Sequence, residues 1–242
     1  MFCSPPACCG DGRTPLPPGR KPIFCYVTDR RTFEAAPIPS DSRLGDPTPH
    51  RAHSLHDSIR RAVAAGAGWI QIREKDLEAR SLVGLARFAV AETRETAARV
   101  LVNDRLDVAV AANAAGVHLG EKSLPLEMVI EWRRSTGRPD FLIGVSCHSL
   151  EAASAAARGG ADYIFFGPVF ATLSKAAFGA PQGIERLREV CASVEIPVLA
   201  IGGVNLENAR ACITAGAAGI AAIRLFQDPV DSAELSALLK TI

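Results

Sequence analysis

From residue 22 onward the chain repeats one unit eight times: a short apolar run rich in Val, Ile and aromatic residues, then a longer Ala-rich run with apolar residues every three or four positions. The first pattern fits a buried strand and the second an amphipathic helix. Strands are expected at 23–27, 69–73, 100–103, 116–119, 142–146, 163–166, 197–201 and 219–223. Helices are expected near 56–65, 79–98, 106–114, 126–134, 150–159, 183–193, 206–215 and 230–239. Parallel strands joined by helices need right-handed crossovers, and eight such units close the sheet on itself. The expected fold class is α/β, a (β/α)8 TIM barrel in a single domain; a doubly wound open sheet is the alternative.

Two stretches fall outside the rhythm. Residues 1–21 are Pro-rich with a single Phe, and read as a flexible extension. The barrel then occupies 22–242, with a long insertion at 30–53 after the first strand, rich in Pro, Ser, Asp and Arg. Hydrophobic residues at 48% and charged residues at 22% supply an ordinary globular core. The 27 basic against 26 acidic side chains give a net charge of +1, which argues against nucleic acid or an acidic membrane surface as partner. No apolar stretch reaches transmembrane length. The seven cysteines are odd in number and, beyond Cys3, Cys8 and Cys9, sit in apolar segments, so a reducing cytoplasm is expected rather than a disulfide framework.

In such a barrel the chemistry gathers at the C-terminal ends of the strands. Strand two ends Gln71-Ile72-Arg73-Glu74-Lys75, and the period of two puts Gln71, Arg73 and Lys75 on one side with Ile72 and Glu74 on the other. Two cations pointing into a barrel call for an anion, a phosphate or diphosphate; a salt-bridge layer is the other reading. Strand three ends Asn103-Asp104. Asp104 suits Mg2+, which often takes one or two carboxylates plus water and substrate phosphate, or else it caps the next helix. His118, between apolar neighbours, suits the site or the core.

Strand five ends with Ser146 and His148 on one face and Cys147 on the other. His148 is the best-placed proton carrier, with helix capping as its alternative, while a Cys147–His148 nucleophilic pair is disfavoured because adjacent strand residues diverge. The long loop at 167–182 carries Thr172, Ser174 and Lys175 and reads as a substrate loop. Gly202 and Gly203 after strand seven, with Ile223 and Arg224 after strand eight, occupy the recurrent phosphate position of these barrels.

Together these motifs resemble the thiamine-phosphate synthase and thiazole tautomerase superfamily, across about 23–242. The resemblance implies that Gln71, Arg73, Lys75 and Asn103 hold the diphosphate of a hydroxymethylpyrimidine, and that Mg2+ bridges it to Asp104. Thr172, Ser174 and Lys175 match residues that contact substrate, and Gly203 matches a thiazole-phosphate cradle shared with Gly202, Ile223 and Arg224. Lys75, Ser146, His148 and Lys175 form the expected catalytic group. Departures from the synthase pattern are Ala115 where a second metal carboxylate is expected, Arg105 after Asn-Asp, Glu121 and Ser123 in place of Gln and Asp, and Arg224 in place of Ser. Glu121 is close enough in sequence to Asp104 to serve as the second ligand.

The expected activity is synthase-like: joining the pyrimidine diphosphate to the thiazole phosphate with loss of diphosphate. The expected partners are therefore those two small molecules, with no nucleic acid and no membrane, and a homodimer is compatible with this. One alternative is a thiazole tautomerase using His148 as acid and base; another is a phosphate-binding barrel without catalysis.

Overall fold

A computed structural model of the chain describes residues 21–34, 54–172, 180–227 and 232–241. The extension expected over 1–21, apart from its last residue, and positions 35–53 of the expected insertion lie outside the described residues. The eight strands are β1 (Ile23–Val27), β2 (Trp69–Ile72), β3 (Arg99–Asn103), β4 (Gly116–Leu119), β5 (Leu142–Cys147), β6 (Tyr163–Phe166), β7 (Val198–Ile201) and β8 (Gly219–Ala222). Each pairs in parallel with the next, and β8 closes on β1 with Ile23 opposite Gly219. This is the expected (β/α)8 barrel.

The helices are α1 (Arg31–Glu34), α2 (Leu55–Ala64), α3 (Ala79–Thr93), α4 (Leu106–Ala111), α5 (Leu126–Ser135), α6 (Leu150–Arg158), α7 (Gly183–Ser193), α8 (Ala209–Thr214), α9 (Arg224–Gln227) and α10 (Ser232–Thr241). Ser54 and Asp57 start α2 as a reciprocal capping box, and Ser149 caps α6 through the Ala152 amide. The expectation that α3 runs to 98 is corrected: it stops at Thr93, whose hydroxyl donates back to the Ala89 and Val90 carbonyls. Thr96 then donates to the Thr93 carbonyl, closing a turn that delivers the chain to β3.

Strand alternation separates two cores. Outward residues such as Tyr26, Ile70, Val102, Ile143 and Ala200 pack beneath the helices. Inward residues form the barrel's own filling, built around Cys25, Val27, Leu101, Tyr163, Phe165, Leu199 and Ala221. At the N-terminal face, Arg133 of α5 donates to Asp162 at 2.5 Å and to the Phe141 carbonyl, fixing the entry of β5 and β6 away from the site.

Candidate active site

Above the apolar filling, the same inward phase brings up four polar side chains, Gln71, Asn103, His118 and Ser146, from β2 to β5. Register accounts for their proximity: Gln71 lies opposite Leu101, Asn103 opposite His118, and His118 opposite Gly144. Gln71 is 1% exposed and donates through Nε2 to Asn103 Oδ1 at 3.0 Å, and Asn103 Nδ2 donates to Asp104 Oδ2 at 2.7 Å. Gln71 Oε1 is buried and has no hydrogen-bond partner, an unsatisfied acceptor at the inner end of this column.

Asp104 turns the chain with a left-handed φ of 61°, which carries its carboxylate across the top of β4. There Oδ1 accepts from the Gly120 amide at 3.2 Å and from the Ser123 hydroxyl, while Ser123 itself accepts from the Gly120 amide. Ser123, a departure from the synthase pattern to which the strand period gave no role because it lies in a loop, is the departure that touches the acidic position through its contact with Asp104. The expectation that Ala115 occupies a metal-carboxylate position is corrected. Ala115 precedes β4, and its carbonyl accepts from the Leu142 amide where β5 begins. That is the N-terminal end of the barrel, a strand length of roughly 13 Å from the mouth.

Arg73 is half-buried and Lys75 exposed at the end of β2, and neither pairs with a carboxylate among the described residues. Among the described residues no salt-bridge layer uses them. Glu74 points the other way, buried, accepting from the Arg30 amide at 3.1 Å and lying 3.6 Å from its guanidinium. Burial pushes the Glu74 carboxyl above its ordinary pKa, against the opposing pull of bonds from Thr28 and Arg30. Arg30 in turn forks onto Asp76 at 2.6 and 2.9 Å, and Arg105 forks onto Asp107, so neither of these cations faces the mouth alone.

His118 is enclosed inside the barrel. Nδ1 lies 3.1 Å from the Tyr163 hydroxyl and Nε2 lies 2.9 Å from Ser146 Oγ. Burial pushes its pKa down to about 3, so it is neutral at physiological pH. His148 stands higher, its Nδ1–H donating to the Gly167 carbonyl and its Nε2 lying 3.7 Å from Glu121 Oε1, whose side chain is 73% exposed. The cap of α6 is Ser149, not His148. Cys147 lies in the outer core, and burial pushes its thiol up to about 12, which removes it as a nucleophile.

The β7 turn supplies the other half of the mouth. Gly202 and Gly203 have φ of 94° and 66°, and an added Cβ would lie 2.6 Å from Pro168 or 2.5 Å from the Ala171 carbonyl oxygen. The start of the β6–α7 loop is laid directly on this turn by Val169 N donating to Ile201 O and Phe170 N to Gly202 O, both at 2.9 Å. The Gly202 and Gly203 amides donate to no group among the described residues. Thr172 sits at the edge of this loop, while Ser174 and Lys175 lie outside the described residues. Ile223 is half-buried after β8, and Arg224 is exposed at the start of α9. Among the described residues no group of three His, Cys, Asp or Glu side chains converges as a ready-made metal cage, and no helix is long and apolar enough to cross a membrane.

The family model described as thiamine monophosphate synthase matches residues 45–226 of this chain. A Geobacter sulfurreducens protein provisionally named a thiamine-phosphate synthase is 48% identical over 74% of the chain and 82% of its own length. The thiamine-phosphate synthase of Roseiflexus castenholzii is 39% identical over 86% of the chain and 82% of its own length. Among solved structures, a thiamine phosphate pyrophosphorylase from Pyrococcus furiosus superimposes with a TM-score of 0.73 at 34% identity, covering 91% of this chain and 95% of that one.

Proposed function

Because this chain belongs to the thiamine monophosphate synthase family, we infer that it is a thiamine-phosphate synthase, joining a hydroxymethylpyrimidine diphosphate to a thiazole phosphate with release of diphosphate. The observation that carries the reading onto this site is the mouth of β2 and β3. There Arg73 and Lys75, unpaired among the described residues, stand at the end of β2 beside the hydrogen-bonded column of Gln71, Asn103 and Asp104. A diphosphate matches the cations.

The reaction breaks the C–O bond to diphosphate, which departs with the electron pair. The resulting pyrimidine carbocation is captured by the thiazole nitrogen lone pair, forming the C–N bond. No proton transfer is needed to balance this step, so alignment and charge neutralisation dominate. In this proposal Arg73, Lys75, Asn103, Lys175 and Ser146 bind the diphosphate, Thr172 and Ser174 contact substrate, and the Gly202 and Gly203 amides, unpaired among the described residues, hold the thiazole phosphate with Ile223 and Arg224. Arginine at position 224 keeps a phosphate donor where the family pattern has serine.

Mg2+ fits the donor set at Asp104, since this ion commonly takes a single protein carboxylate and completes its shell with water and substrate oxygens. When bound there it neutralises charge on the leaving diphosphate. Ser123 and Gly120 orient the carboxylate for it. We assign Glu121 to His148 rather than to the metal, because its carboxylate lies 3.7 Å from the imidazole. The tautomerase alternative asks His148 to exchange protons with substrate; its Nδ1 is taken by the Gly167 carbonyl, which leaves Nε2, 3.7 Å from Glu121, for that role.

The reading takes one chain as the unit of activity, because all eight strand ends of the mouth come from it. A homodimer would change the mass seen by sedimentation and leave turnover per chain unchanged. It also places the enzyme in a reducing cytoplasm, in keeping with the free thiols of Cys25, Cys147, Cys191 and Cys212. The deciding experiment supplies purified protein with both substrates and Mg2+ and measures thiamine phosphate and diphosphate in equal amounts. Absence of product with every divalent ion tried would overturn the synthase reading. Tautomerase activity that vanishes in His148→Ala would then replace it, and a melting temperature raised by thiazole phosphate alone would leave a binding barrel.

A further inference from the structure

We propose that Tyr163 and His118 are positioning residues whose buried hydrogen bonds run in one fixed direction, so that Ser146 offers its hydroxyl proton, rather than a lone pair, to an anion in the barrel mouth. The anion that Ser146 meets rests on the synthase reading above; the direction of the bonds rests on the fold.

The direction is set at the bottom of the column. Tyr163 is 1% exposed, and His118 Nδ1 is the partner of its hydroxyl among the described residues. The phenol ring is bounded by the edge-packed Trp69 ring at 4.6 Å and by Gly144, where an added Cβ would fall 2.0 Å from Tyr163 Cζ. If Nδ1 carried the imidazole proton and donated downward, the phenol proton would be left buried without an acceptor. Buried donors are almost always paired, so the phenol donates to Nδ1.

A neutral imidazole accepting at Nδ1 carries its proton on Nε2. Nε2–H then donates to Ser146 Oγ, 2.9 Å away. A serine that already accepts from the buried side keeps its own proton for the open side, and Ser146 is half-buried near the C-terminal end of β5. Three adjacent strands hold the parts in register, with His118 opposite Gly144 and Gly144 opposite Tyr163. The missing side chain at Gly144 is what lets the phenol lie under the imidazole. Reversing the column would turn a lone pair toward the anion and repel it.

The test reads the direction first. In full-length protein labelled with 15N-histidine, the His118 signals, identified by their loss in His118→Gln, should show the Nε2–H tautomer, and Tyr163→Phe should abolish that preference. A wild-type Nδ1–H tautomer overturns the proposal. Kinetics then separate positioning from packing. Tyr163→Phe should lower kcat/KM about tenfold when Ser146 is present and less than about twofold in a Ser146→Ala background. Equal losses in both backgrounds would reduce Tyr163 to a packing residue and overturn the proposal, as would full activity in Ser146→Ala. A wild type that makes no thiamine phosphate would defeat the synthase reading instead, and the tautomer measurement would still decide the column's direction.

Discussion

A neutral histidine sealed inside a barrel makes folding sensitive to acid. His118 is held near a pKa of about 3 by burial, whereas in the unfolded chain it titrates near 6.5. Between those values the unfolded chain binds the extra proton, so the stability present above pH 6.5 is lost as pH falls and levels off only below 3. Urea unfolding at pH 7 and pH 5 should therefore cost the wild type about 2 kcal/mol more than His118→Gln, other groups cancelling in the comparison. Equal losses would mean that the folded imidazole titrates normally. The neighbouring glycine offers a steric counterpart: Gly144→Ala forces the Tyr163 ring aside and should destabilise by about 1–3 kcal/mol in urea melts. Gly84 on α3 is the control, since an added Cβ there meets nothing within 4 Å and Gly84→Ala should be neutral or slightly stabilising. The period of two foretold that Gln71 and Ser146 face inward while Ile72 and Cys147 face the helices. It left open whether His118 serves the core or the site, because that depends on Tyr163, 45 residues away.

At the scale of elements, the joint between β3 and the β4–α5 loop is where sequence spacing misled. Ala115 is near Gly116 in sequence but at the wrong end of a strand, while Ser123, further along the chain, reaches Asp104 through the loop. Spacing counts residues, whereas a ligand set depends on which end of a strand they leave. The same joint makes a direct prediction about the metal. Asp104→Asn should raise the Mg2+ concentration for half-maximal activity at least about tenfold, and Glu121→Gln should leave it within about twofold. The reverse pattern would move the ion to Glu121. Helix ends were the other unreadable feature, for a related reason. Asn205 accepts from the Glu207 and Asn208 amides and Asn208 accepts back from the Asn205 amide, a local loop that holds off α8 until Ala209. Side-chain competition of this kind does not disturb apolar periodicity, so the pattern alone started that helix early.

For the whole molecule, the eightfold rhythm was sufficient to specify the barrel because closure satisfies every strand at once. Net charge, by contrast, averaged away the feature that matters: a chain of +1 still gathers Arg73, Lys75 and Arg224, unpaired among the described residues, at strand ends. Closure also bears on the residues before β1. Ile23 donates to the Ala218 carbonyl at 2.9 Å, and β1 is paired on one side with β2 and on the other with β8. The first strand therefore offers no free edge on which residues 1–20 could add another strand. Their large apolar side chains are only Met1, Phe2 and Leu16, which offer little for any other packing. Removing residues 1–20 should accordingly shift the melting temperature by less than about 2 °C, the equivalent of at most about 1 kcal/mol in a domain of this size, and leave kcat and KM for both substrates unchanged. A drop of 5 °C or more would show that those residues pack against the barrel, and an unchanged melting temperature with a raised KM would place them over its mouth instead.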